Sequence, residues 1–487
     1  MINPDYRRIY WFGALIFIVT AWFSTGYNHF DEHFQVIEFA GLKLGLNAAS
    51  DLPWEYGYRM RPALQPFLVF LLYRSVAFFG LTDPFIIAFL VRLFSVSIAF
   101  ISIHLSLRLF APEFRDRRIL AALFLLSFFT WFIPYNAARF SSETLSGRLF
   151  LIGIALFFLR DRSQARAYLV AGLLLGTAFV VRYQTAFMAI GFMAWLLIRD
   201  RSTLRQTATF CTGFAGAIGA GIIADRWFYG EWVFTAWNYF EQNLVAGKAA
   251  HFGVSPWWYY LEQTLVNALP PLSLLMIAGV ILYFIFFPKD WLTWIFLPFL
   301  LAHFAIGHKE IRFLFPIIGF LPFMVVRTAD RLLRRDDYRM LDKPWLRYSA
   351  KGAWYLNLVM LAILLFRPAD DAISLYRHLW KSYEKPARLC YTDDNPYHRA
   401  KVDIHFYKRS GLALVHFDSL EQVLPTADSV TLFVTKRPGP PPNPHYAAVE
   451  IYRTYPLWVR HFNVNHWLER TSFWHVYEMK PVSSPEP

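Results

Sequence analysis

FIIAFLVRLFSVSIAFISIHLSLRLF, residues 85–110, is an apolar run that only a membrane-crossing helix accommodates comfortably. At about 1.5 Å of rise per residue, about 20 residues cross a hydrocarbon core of about 30 Å, and this run exceeds that length. Its Arg92 is one of the few charged residues inside such a segment. Working outward, similar runs occupy residues 9–27, 119–134, 145–159, 167–181, 185–198, 207–224, 269–287, 291–306, 313–326 and 350–366. The reading is an all-α polytopic membrane protein with about 11 transmembrane helices.

Composition agrees with this reading. The 487 residues are 56% hydrophobic and 19% aromatic, with a mean hydropathy of +0.32, too apolar for a soluble chain with one modest core. A net charge of +13 does not point to nucleic acid, because the Lys and Arg residues are not gathered on one polar domain. They sit between apolar runs, at residues 7–8, 115–118, 160–166, 199–205, Lys289 and 327–351. Short basic loops stay on the cytoplasmic side, so the N-terminus is expected inside and the tail after residue 366 outside. The basic pair and apolar run at the start are followed by no small-residue cleavage site, which predicts an uncleaved first helix. Cys211 lies in an apolar run and Cys390 in the polar tail, so no disulfide is expected.

The run at residues 62–80 tests this topology. If it crossed the membrane, every later basic loop would move outside, so it is read as a re-entrant or interfacial helix. The outer face then holds loops 28–84, 135–143, 225–268 and 307–312. Beyond residue 366 the chain turns polar, with strand-like runs at 388–391, 402–407, 412–417, 430–434 and 447–452, a helix at 419–424 and a proline-rich surface loop at 438–442. Two domains are expected, a transmembrane domain over 1–366 and a small α/β extracytoplasmic domain over 367–487. No internal repeat is present.

The outer loops carry the polar chemistry. His29-Phe30-Asp31-Glu32-His33-Phe34-Gln35 puts two carboxylates and two imidazoles at the rim of the first span, where charge is costly. As a helix it would set Asp31, Gln35 and Glu38 on one face and Phe34, Ile37, Gly41 and Leu44 on another, an amphipath lying on the outer membrane surface with its polar stripe toward a cavity. A plainer reading makes Asp31 an N-cap of a solvated helix. A metal at His29, Asp31 and His33 lacks a second ligand cluster, and none is predicted. Trp54-Glu55-Tyr56 with Arg59 and Arg61 reads as an interfacial belt with snorkelling arginines, or as an anionic headgroup site centred on Arg61. Asp225 to Gly230, Asn238, Asn243, Trp257 and Trp258 combine indoles with amides, which suits a sugar and equally an interfacial belt. His308-Lys309-Glu310-Ile311-Arg312 gathers three potential cations, fit to capture a phosphate or to anchor a return loop. Arg139 and Glu143, four residues apart, could form a salt bridge.

Taken in order, His29-x-Asp31-Glu32-x-Phe34-Gln35, Trp54-Glu55-Tyr56 with Arg61, Asp225 to Gly230 with Asn238 and Asn243, and His308-Lys309-Glu310-x-Arg312-Phe313 resemble the Alg9-like mannosyltransferases of glycosyltransferase family 22, across about the first 330 residues. That family usually carries Pro in place of Phe30 and Ser in place of Pro62; neither change removes an ionisable group. The resemblance implies a GT-C fold and inverting transfer of a hexose, typically mannose, from a polyprenyl or dolichyl phosphate sugar to a hydroxyl of a glycan or glycolipid. It implies Asp31 as the general base with Glu32 in support. His308, Lys309, Arg312 and Arg61 become the donor-phosphate ligands, and Gln35, Glu55, Asp225, Asn238, Asn243 and Trp257 the substrate contacts. No nucleotide-binding glycine loop is present, in keeping with a lipid donor, and neither metal nor cofactor is expected. A bacterial inner membrane with a periplasmic site fits the short loops and compact tail, and an endoplasmic reticulum enzyme would have the same orientation.

A transporter or flippase for a lipid-linked sugar is the rival from another class. It should place ionisable groups near the midplane on broken helices in paired halves, whereas here they collect at the outer ends.

Overall fold

The computed structural model describes residues 6–423, 429–437, 439, 446–463, 466, 468, 471 and 473–481. The chain forms two compact units, one of residues 1–24, 55–69 and 89–367, the other of residues 25–54, 70–88 and 368–487. Two segments of the first outer loop belong to the second unit.

In the first unit every expected span is helical. The helices are Arg7–Phe23, Pro84–Phe110, Arg117–Phe129, Ser142–Leu159, Ala165–Val181, Ala186–Trp195, Leu204–Tyr229, Leu272–Phe286, Trp291–Ala305, Leu321–Leu333 and Pro344–Phe366. The protein is thus membrane-embedded; among the described residues five helices are long and apolar enough to span on their own, against the eleven expected, and a sixth span arises if Leu272–Phe286 and Trp291–Ala305, bent by 120°, count as one. The reason is that several apolar runs break early. The run at 119–134 ends as a helix at Phe129, and Asn357 patches the break, donating from Nδ2 to the Phe129 carbonyl at 2.7 Å and accepting from the Trp131 N–H at 3.0 Å. The segment at 62–80 is helical over Leu64–Phe78.

Close backbone approach organises this bundle. A Cβ added to Gly172 would lie 2.1 Å from the Phe210 carbonyl oxygen, so Ala165–Val181 and Leu204–Tyr229 pack through a seam that admits no side chain there. Aromatic rings fill the remainder, as where Phe110 stacks on Phe323 with centroids 3.6 Å apart. Arg92, buried, donates from Nε to the Ala21 carbonyl at 2.7 Å, which gives that N–H an acceptor within the bundle.

The second unit carries a five-stranded sheet in the order Leu412–His416, Ala387–Tyr391, Val430–Thr435, His475–Pro481, Tyr446–Arg453. The first three strands run parallel to one another and the last two pair antiparallel. Helix Ala372–Ser382 buries Ile373, Leu375, Tyr376 and Leu379. Four of the expected strands are present. The run at 402–407 instead keeps only a two-residue bridge, Val402–Asp403 with His398–Arg399, because the amides of His405 and Phe406 bind the Glu38 carboxylate. The expected helix at 419–424 is a single 3₁₀ turn, Leu420–Gln422, with residue 424 outside the described residues. The proline-rich loop at 438–442 also lies outside them, apart from Gly439.

Candidate active-site residues

In the second unit, the stretch after the first span is a helix with one extra residue in a turn. Phe30–His33 is α-helical, Phe34–Glu38 is a π-turn, and Phe39–Leu44 resumes the α-helix. His29 caps the start, its Nδ1 accepting from the Asp31 N–H at 3.2 Å. The π-turn overturns the expected polar stripe. Glu38 turns inward to 1% exposure, where it meets His33 Nε2 at 3.0 Å and accepts from the N–H groups of His405 at 2.9 Å and Phe406 at 3.0 Å and from Asn47 Nδ2 at 2.8 Å. Burial alone would raise its pKa, but the bonds from His33, Phe406 and Asn47 outweigh this and hold it below the ordinary glutamate value. The face expected toward lipid is also buried, with Phe34 at 2% and Ile37 at 8%.

What remains accessible is Asp31. Its side chain is 25% exposed, with Oδ1 3.7 Å from His29 Nδ1, whereas the buried Glu32 accepts from the Asn28 N–H at 3.0 Å. Gln35 is half-buried. The His33 ring is stacked between Tyr27, 5.0 Å away, and Tyr407, 5.5 Å away, which fixes the turn that carries Asp31.

In the first unit one of the expected phosphate ligands, Arg312, meets a buried carboxylate. Glu143, 1% exposed, receives Arg312 Nη1 at 3.0 Å and Arg182 Nη1 at 2.9 Å on the same oxygen, Oε1. Arg312 also forks onto Glu310, with Nε at 2.6 Å from Oε2 and Nη2 at 3.0 Å from Oε1. His308 Nε2 lies 3.2 Å from Glu310 Oε1, and its Nδ1 3.0 Å from the Gly253 carbonyl. The hydrogen bond to Glu310 raises the His308 pKa above its usual value. Lys309 donates to the Ser255 carbonyl at 3.2 Å and to that of Ile306, and burial lowers its pKa. Arg139 donates to the Ser24 carbonyl at 2.5 Å and to its Oγ at 2.8 Å.

Arg61 belongs to a second cluster in this unit. Its Nη2 lies 3.3 Å from Glu55 Oε1, and its guanidinium carbon 5.5 Å from the centre of the Tyr239 ring. Gln184 donates to the Tyr239 hydroxyl at 2.6 Å, and the Tyr183 hydroxyl pairs with Thr235 Oγ1 at 2.5 Å.

The sugar contacts expected on the long outer loop divide. Asp225 is 3% exposed and fastens chain segments, accepting from the Ala63 N–H at 2.7 Å and from Thr235 Oγ1 at 2.6 Å. Asn238 donates to the Arg59 carbonyl at 3.1 Å and Asn243 to that of Tyr239 at 3.0 Å, so both amides tie backbone. Trp257 is 61% exposed, with the rings of Trp258 and Phe304 centred 5.8 and 6.5 Å from its own. Among the described residues no group of three His, Cys, Asp or Glu side chains is arranged to hold a metal ion.

Sequence reasoning missed Arg182-Tyr183-Gln184, the break between helices Ala165–Val181 and Ala186–Trp195. These three consecutive residues serve both clusters of the first unit. The signal was available: three polar residues between apolar runs, on the side that span counting assigns to the other motif-bearing loops.

A helical membrane bundle with a small sheet-bearing unit defines a class: this is the GT-C fold. It matches the structure of ArnT from Cupriavidus metallidurans bound to undecaprenyl phosphate over 99% of both chains, with a TM-score of 0.55 at 10% identity. The chain belongs to the Alg9-like mannosyltransferase family, which matches residues 9–386. It is similar to the GPI alpha-1,2-mannosyltransferase 3 of Bos taurus, at 23% identity over 68% of this chain and 59% of that protein. The GPI mannosyltransferase 3 of Candida albicans is 24% identical over 61% of this chain and 58% of its own length. The matched region thus spans somewhat under two thirds of these relatives.

Proposed function

We propose that this protein is an inverting glycosyltransferase that moves mannose from a polyprenyl or dolichyl phosphate donor to a hydroxyl of a glycan or glycolipid. The observation that carries the reading is the His308–Arg312 segment, whose Arg312 pairs with Glu143 and Glu310 and whose His308 pairs with Glu310 in the first unit, in a chain that belongs to a mannosyltransferase family. As the acceptor oxygen attacks C1 of the sugar, the bond from C1 to the phosphate oxygen breaks with inversion at C1. Asp31 takes the acceptor proton, being the accessible carboxylate of its stretch. His308, Lys309, Arg312 and Arg61 offset the charge that develops on the departing lipid phosphate. Protein cations supply that charge, so the reaction as proposed uses no metal or cofactor.

Trp257 is retained as a stacking surface for a sugar ring, while Asp225, Asn238 and Asn243 act by holding the long loop in place. The basic loops favour a cytoplasmic N-terminus and a second unit on the outer side of a bacterial inner membrane. The test is transfer by the purified protein in detergent, following labelled mannose from mannosyl phosphoryl undecaprenol to a mannose-terminated glycolipid. An α-linked product from a β-linked donor is expected. A product with retained configuration, or label released only to water, would count against the reading.

A further inference from the structure

Two guanidinium groups meet on one carboxylate oxygen in the first unit, and one of them belongs to no motif. Arg182 and Arg312 both bond to Glu143 Oε1, so a single negative charge faces two positive ones at short range. Arg312 also reaches Glu310, and the neighbouring Lys309 donates to the Ser255 carbonyl. Arg182 is 5% exposed, and its Nη1 is committed to Glu143 and to Ser142 Oγ at 3.2 Å. Its buried Nε has no hydrogen-bond partner among the described residues. A buried, unused donor on an always-charged group costs free energy unless an acceptor meets it.

The backbone explains why the group points where it does. Arg182 is extended, at φ −148 and ψ 107, at the point where Ala165–Val181 stops. The next residues turn to the Arg61 cluster, since Tyr183 pairs with Thr235 and Gln184 with Tyr239. Phe313 lies under the guanidinium, 5.0 Å from its carbon to the ring centre, and Arg312 lies over the same ring at 5.3 Å. The two arginines therefore share a carboxylate and an aromatic face.

We propose that Arg182 is a phosphate-binding residue of the donor site, forming with Arg312 a paired-guanidinium clamp that Glu143 holds together. The inference rests on the lipid-phosphate reading given above. An arginine fork matches phosphate oxygens in a way that lysine does not. Arg182 then contributes to donor affinity, and the Tyr183-Gln184 continuation fixes the clamp relative to Arg61.

The experiment measures binding of undecaprenyl phosphate, and of undecaprenol as a neutral control, to the purified full-length protein in detergent. R182Q is expected to bind the phosphate about 10- to 100-fold more weakly, as loss of a charged hydrogen bond implies, with the alcohol unaffected. R182K should recover only part of the loss. Because R182Q leaves Glu143 short of a partner, the double variant E143Q/R182Q carries the same test with no added buried charge. Wild-type affinity in R182Q or in the double variant would overturn the assignment of Arg182 alone. A wild type that binds neither undecaprenyl phosphate nor dolichyl phosphate would overturn the donor reading and the clamp with it.

Discussion

His33 and Glu38, five residues apart, meet at 3.0 Å because a π-turn intervenes between them. Both are buried, at 2% and 1%, so their pairing is a fixed strut under the helix that presents Asp31. Insertions of this kind inside α-helices recur at functional sites. Removing one partner of a buried pair costs about 3–5 kcal/mol, since the other polar group is left without compensation. Glu38→Ala is expected to lower the thermal stability of the second unit accordingly, read by thermal unfolding in detergent. A loss below about 1 kcal/mol would show that the pair is not a strut.

The same carboxylate sets an acid limit. Its pKa in the folded protein lies below the ordinary glutamate value of 4.5, so its stabilising contribution is complete above that pH and fades as pH falls through the lowered value. Thermal unfolding midpoints should therefore drop more steeply below pH 4.5 in the wild type than in Glu38→Gln.

His308 works in the opposite sense. Glu310 raises its pKa above the ordinary 6.5, so its positive charge is present below that pH and disappears as pH rises through the raised value. If that charge helps hold the donor phosphate, the donor KM should rise with alkalinity, by about tenfold once the imidazole is neutral. H308Q should show the high KM throughout and lose this titration. An identical alkaline limb in H308Q would assign it to another group.

Packing places Arg312 against Glu143. One turn along, a Cβ at Gly147 would lie 2.5 Å from Pro316 Cα, and a further turn on, Leu151 approaches Gly319. Gly147→Ala must push the two segments apart, at a cost of about 1–3 kcal/mol, and it should raise the donor KM through the displaced Arg312. Gly219→Ala, where nothing lies within 4 Å of an added Cβ, is the matched control and should leave both unchanged.

Topology gives a further expectation. A reporter enzyme fused after Phe366, where the last long helix ends, should be active only on the outer side of the membrane. A cytoplasmic signal there would reverse the sidedness proposed for the second unit.

Much of this was readable because long apolar runs and charged rims follow from bilayer physics. The helices of the first unit and the grouping of His308, Glu310 and Arg312 needed no coordinates. Glu38 escaped because the π-turn breaks the 3.6-residue period on which facial reasoning depends. Strand His475–Pro481 escaped because it lies inside the sheet, with His475, Val476 and Tyr477 all buried, so the alternation that marks a half-exposed strand is missing. Asp225 and Asn238 have the chemistry of sugar ligands, but they bind backbone groups of distant segments that no local pattern reveals, while Asn243 caps a carbonyl one turn back on its own segment. Arg182-Tyr183-Gln184 form a three-residue break between helices whose partners, Glu143, Thr235 and Tyr239, lie far away in the chain.

Asp31→Asn tests the central claim most directly. The variant keeps the shape of the side chain and the His29 cap, whose bond is to the Asp31 backbone, and it removes only the proton acceptor. In purified, monodisperse protein it should bind undecaprenyl phosphate as the wild type does, yet lose sugar transfer by about 100-fold or more. Glu32→Gln should lose less. Transfer by Asp31→Asn at the wild-type rate would contradict the account.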